Sequence, residues 1–98
     1  MEIKKKLDGQ HLTVAISGRL DTTTSPALEA DVKSSLGGVS ELTFDFEKLD
    51  YISSAGLRVL LSTQKIMSGK GKMAIKNVCP DIMEVFEITG FSDILTIE

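Results

Sequence analysis

Residues 42–61 read LTFDFEKLDYISSAGLRVLL, and this stretch decides the fold. Leu42, Phe44 and Phe46 alternate with Thr43 and Asp45, the two-residue period of a half-buried strand. Glu47 to Asp50 reads as a polar connection. Tyr51-Ile52-Ser53-Ser54 then leads into a helix from about Ala55 to Ser68, with Leu57, Leu60 and Leu61 on its core face and Ile66 and Met67 nearby. Gly69-Lys70-Gly71 ends it.

The same grammar extends outward. Upstream, Leu12, Val14 and Ile16 share one face of a strand that Gly18 is expected to end, and Asp8-Gly9-Gln10 marks a turn from a short first strand at Ile3 to Leu7. Thr24-Ser25-Pro26 opens a helix, with Ser25 as its cap and Pro26 in the first turn. Leu28, Val32 and Leu36 form its apolar stripe, and Gly37-Gly38 stops it. Downstream, Met73 to Lys76 with Val78 reads as a strand. Pro80-Asp81 opens a third helix carrying Ile82, Val85 and Phe86, Gly90 closes it, and Ile94 to Ile97 reads as a last short strand. Strands alternating with helices pair in parallel through right-handed crossovers, and the first hairpin adds an antiparallel pair. The expected fold class is α/β: residues 1–98 as one small two-layer domain, a mixed, mostly parallel sheet of four to five strands packed by three helices or more.

Composition narrows the function. Ninety-eight residues with 42% hydrophobic and 26% charged side chains fit one globular domain and argue against disorder. Lys and Arg total 11 against 14 Asp and Glu, giving a net charge of −3. The basic clusters Lys4-Lys5-Lys6 and Lys70/Lys72 are short and free of interleaved aromatics, so direct nucleic-acid binding is not expected. No apolar run approaches the roughly 18 residues of a membrane helix, and no apolar signal core follows the first charges. The single cysteine, Cys79, has no internal disulfide partner and no clustered histidine, which points to a buried or partly buried thiol and a cytoplasmic location rather than a metal site. No cofactor is expected.

Serine chemistry needs a base in reach. The only histidine, His11, sits before a strand and reads as a surface residue. No Gly-x-Ser-x-Gly elbow and no phosphate-cradling loop is present; Ser68-Gly69-Lys70-Gly71-Lys72 has the wrong order and reads as a turn. Asp45, Glu47 and Asp50 form a solvated strand exit or, less simply, a cation site. The chain is read as not an enzyme.

Ser53 and Ser54 enter a helix N-terminus, where unpaired N–H groups point outward and the dipole favours negative charge. A hydroxyl there either caps the helix or accepts a phosphate, which adds about −1.5 to −2 charge without having to unfold the domain. Gly56 removes a side chain from the first turn and allows a close approach to the backbone. Arg58 lies one turn past Ser54, placed to meet a phosphate, a partner carboxylate or solvent. Asp21 is a turn or cap residue or a partner contact, and Thr22 to Thr24 are turn hydroxyls or part of the same rim.

At these residues the chain resembles the STAS domain, specifically the small anti-sigma factor antagonists. The resemblance rests on Ser53-Ser54-Ala55-Gly56-Leu57-Arg58 after the strand Leu42 to Phe46, on Gly18-Arg19-Leu20-Asp21, and on Gly90-Phe91, and it covers essentially the whole chain. It implies a partner switch. Such proteins bind an anti-sigma factor that is also an ATP-dependent serine kinase, and so release a sigma factor. Phosphorylation by that kinase ends binding, and a metal-dependent PP2C-type phosphatase restores it. Aligned on Gly56, the phosphoserine falls on Ser54, with Ser53 as the alternative acceptor. Ser53 stands where many members carry Asp, which changes the local charge and leaves partner and kinase identity open. The implied partner surface is Asp21, Thr22, Thr23, Ser53, Ser54, Gly56 and Arg58, on a monomer or weak dimer. A STAS module without covalent switching, serving a phosphatase, a signalling complex or a transporter, is the alternative.

Overall fold

The computed structural model describes residues 1–98. Its elements run β1 (Glu2–Asp8), β2 (His11–Leu20), α1 (Ser25–Ser35), β3 (Glu41–Asp45), β4 (Leu49–Ile52), α2 (Ser54–Ser68), β5 (Lys72–Lys76) and α3 (Pro80–Thr89), followed by a 3-10 turn at Phe91–Asp93. The sheet order is β1-β2-β3-β5, with β4 also paired to β2. β1 is antiparallel to β2, and the pairs β2–β3, β2–β4 and β3–β5 are parallel, as helical crossovers require.

Alternation decides which face of the sheet is covered. Leu12, Val14, Ile16 and Leu20 of β2, Leu42 and Phe44 of β3, and Met73 and Ile75 of β5 are buried. They meet Leu28 and Val32 of α1, Leu57, Leu60 and Met67 of α2, and Ile82 and Phe86 of α3 in one contiguous cluster of 22 residues. The intervening residues Thr13, Ala15, Ser17, Asp45 and Lys76 are only half-buried, so the other face stays open, as in a two-layer fold. Thr43 is the buried exception on that face; its hydroxyl lies 2.8 Å from His11 Nε2.

Four local expectations are corrected. Gly18 does not end β2. It adopts φ +89°, its N–H reaches Lys48 O at 2.9 Å, and the register shifts between Gly18 and Arg19 as β2 changes partner from β3 to β4. The Glu47–Asp50 connection contains the start of β4, whose buried ends are Leu49 and Ile52 while Asp50 and Tyr51 face out. Ile94 to Ile97 is not a strand: the Leu95 N–H turns back to Phe91 O at 2.8 Å, and only Ile97 bridges to Ile75. Ser25 does not cap α1. Thr24 holds the cap position and Ser25 is the first helical residue, its hydroxyl buried without a hydrogen-bond partner.

Candidate functional site

Two parallel strands end side by side and define the site. Leu20 of β2 pairs with Ile52 of β4, and the Ser53 N–H donates to Leu20 O at 2.9 Å. The loop after β2 and the first turn of α2 therefore leave the sheet at one edge. This edge collects Asp21, Thr22, Thr23, Ser53 and Ser54, which sequence separates by about thirty positions.

Asp21 organises the loop. Its Oδ1 accepts the N–H groups of Thr23 at 3.0 Å and Thr24 at 3.1 Å and the Thr24 hydroxyl at 3.2 Å. The single Thr24 hydroxyl proton is shared between this carboxylate and Arg19 O, which lies closer at 2.9 Å. The Thr24 N–H leads in holding the Asp21 carboxyl below its usual range; partial desolvation opposes it, while the Thr23 N–H, the Thr24 hydroxyl and the Arg19 charge add to it. Thr22 and Thr23 are exposed beside this anchored carboxylate.

The paired serines have different fates. Ser53 is the N-cap residue, with extended backbone (φ −100°, ψ 177°), and its carbonyl accepts the Leu57 N–H at 3.0 Å. Its side chain makes no capping bond, and Oγ is enclosed without a partner. Ser54 is the first helical residue and is exposed. Neither serine serves as a side-chain cap. α2 carries no acidic residue in its first turn, so nothing there neutralises the positive end of its dipole.

Gly56 needs correction as a point of external approach. It is buried, and a Cβ there would lie 2.8 Å from both Leu20 Cγ and Ile52 Cγ1. The close approach is made by the protein's own strand ends. Gly56 lets α2 settle onto them, which fixes where Ser54 emerges. Arg58 is exposed one turn along the same helix.

Sequence reasoning missed the contact between Arg19 and Tyr51 beside this edge. They pair across β2 and β4, and the Arg19 guanidinium carbon lies 4.1 Å from the Tyr51 ring centre. Their pairing follows only once β4 is recognised, and no periodicity in Leu49–Ile52 announces that strand.

Other candidates lie elsewhere. His11 begins β2, whereas Ser54 follows the strand paired with its far end, so roughly 25–30 Å of extended chain separates them. His11 cannot act as a base for Ser54. Asp45 is a clamp: Oδ1 accepts Asn77 Nδ2 at 3.0 Å and the Glu47 N–H at 3.1 Å. Burial pushes its carboxyl up, but these bonds and the Lys76 charge outweigh burial and leave it below the usual range. No three ligating side chains come together to hold a metal. No helix is long and apolar enough to cross a membrane.

The STAS domain model matches residues 2–98. The chain belongs to the STAS domain family. This STAS chain is 35% identical over 94 residues to the Bordetella bronchiseptica protein BtrV, whose name places it among anti-sigma factor antagonists; the match covers 94% of this chain and 80% of that one. Its fold matches an anti-sigma factor antagonist from Mycobacterium paratuberculosis with a TM-score of 0.89 at 20% identity, over 98% of this chain and 83% of that one. It also matches the Bacillus protein SpoIIAA at 18% identity. The TM-score is 0.79 for the unphosphorylated form, over 99% of this chain and 87% of that one, and 0.78 for the phosphorylated form, over 99% and 91%. The five-stranded mixed sheet and three helices are those of this fold.

Proposed function

We propose that the protein is an anti-sigma factor antagonist switched by phosphorylation of Ser54. It binds an anti-sigma factor that is also a serine kinase, and binding frees a sigma factor. The kinase transfers the γ-phosphoryl group of ATP to Ser54 Oγ, with the hydroxyl proton lost and ADP leaving. A PP2C-type phosphatase hydrolyses the ester and returns the free hydroxyl. The family membership and the relative named for this role support the reading.

The observation that carries it is the contrast between adjacent hydroxyls. Ser54 is exposed at the start of α2, and Ser53 Oγ is enclosed. A kinase needs the acceptor oxygen in its own active site, which the exposed serine permits and the enclosed one does not. A dianion at this edge then ends docking, because a charge forced into a desolvated interface or against partner carboxylates is costly. Asp21, Thr22, Thr23 and Arg58 surround that contact, while Gly56 acts from beneath it.

The direct test is to incubate the purified chain with the serine-kinase anti-sigma factor of its own organism and ATP, then to map phosphate by mass spectrometry. Phosphate on Ser54, absent from Ser54→Ala, is the expected result. Phosphate confined to Ser53 or to another residue rejects the assignment.

A further inference from the structure

Arg19 is held in place before any partner arrives. The Tyr51 ring supports its guanidinium at 4.1 Å, and its Nε lies 3.8 Å from Asp21 Oδ2. Even so, 62% of the side chain is open to solvent. A guanidinium stacked on a ring keeps its in-plane N–H donors free, and their fork matches the two oxygens of a carboxylate. Tyr51, 39% exposed, is the sole tyrosine, whereas Phe44, Phe46 and Phe86 are fully buried. Leu20 and Ile52, the next residues along, turn inward under α2, so Arg19 and Tyr51 stand on the open face of the sheet. They occupy the strand ends from which Asp21 and Ser54 emerge. The pair is therefore continuous with the Ser54 edge but extends it around the corner, away from the helices.

We infer that the Arg19–Tyr51 pair determines partner specificity by receiving an aspartate or glutamate of the serine-kinase anti-sigma factor, so that the docking surface runs from Ser54 over the strand edge onto the open sheet face. Arginine and tyrosine dominate the energetics of many interfaces, and a side chain already restrained loses little freedom on binding. The inference rests on the function proposed above and adds to it the place and chemistry of a second contact.

The probe is the purified serine-kinase anti-sigma factor of the same organism, titrated by calorimetry against the wild-type chain and four variants. Arg19→Glu is expected to weaken binding by about 30-fold or more, since it sets like charges together. Arg19→Lys keeps the charge but loses the fork, and Tyr51→Leu removes the support; each is expected to cost about fivefold. Lys72→Glu makes the same charge change at the opposite end of the sheet, where Lys72 pairs with Glu41, and is expected to bind within about twofold of wild type. Thermal melts of all variants establish that they fold, and Arg19→Lys remains decisive should Arg19→Glu disturb the strand. Arg19 variants that bind as wild type does, or a Lys72→Glu loss equal to that of Arg19→Glu, overturn the inference while leaving the Ser54 switch standing. A wild-type chain that does not bind the kinase overturns both.

Discussion

Ser53 and Ser54 are chemically identical neighbours joined by a single peptide bond. The cap residue is extended, with its hydroxyl enclosed and unpartnered; the next residue is helical and exposed. Gly56 sets this geometry from two positions beyond. With Leu20 and Ile52 atoms 2.8 Å from any added Cβ, Gly56→Ala forces α2 off its seat. It is expected to lower stability by about 1–3 kcal/mol in urea unfolding and to reduce Ser54 phosphorylation as well. An alanine variant as stable as wild type contradicts that packing role. Asp21 makes a prediction in pH. Because folding lowers its carboxyl below 3.8, the ionised form is favoured in the folded chain. The stabilisation it lends the Thr22–Thr24 loop is full above that value and fades as pH falls through the lower, folded one. The Thr23 and Thr24 amide resonances are therefore expected to titrate together with a midpoint beneath 3.8. A midpoint at or above it means that the carboxylate does not hold the loop.

Elements with a clear period were legible in sequence, and those without one were not. The alternation of Leu42, Phe44 and Phe46 and the four-residue spacing of Leu28, Val32 and Leu36 each identify a face that the structure buries. β4 escaped because its buried residues, Leu49 and Ile52, are three apart, a spacing that fits neither two strand steps nor a long helix. The final strand was over-read because Ile94, Leu95 and Ile97 are β-prone, whereas hydrogen bonds to Phe91 turn the backbone. The position of Ser53 and Ser54 at the start of α2 was legible, but the meeting of Arg19 with Tyr51 was not, since it depends on the missed strand. Helix α2 shows the limit of resolution within an element. Leu60 and Leu61 look equivalent in sequence, yet Leu60 is fully buried and Leu61 half-buried, with Val59 taking a core position instead. Leu60→Ala is expected to cost about 2–5 kcal/mol and Leu61→Ala about 1 kcal/mol by urea denaturation. Equal losses contradict the orientation of α2 on the sheet.

At the scale of the molecule, a switch that works by ejecting a partner must leave its own fold intact. Ser54 satisfies that condition: it is exposed, and negative charge is favoured at the helix start. Ser54→Asp is expected to melt within about 3 °C of wild type or above it, whereas a fall of about 5 °C or more makes unfolding the cause of any lost binding. The most direct measurement compares one purified serine-kinase anti-sigma factor against this chain in two forms, with Ser54 free and with Ser54 phosphorylated, by isothermal titration. The free form is expected to bind and the phosphorylated form to bind at least about 100-fold more weakly. Equal affinity for both forms contradicts the account.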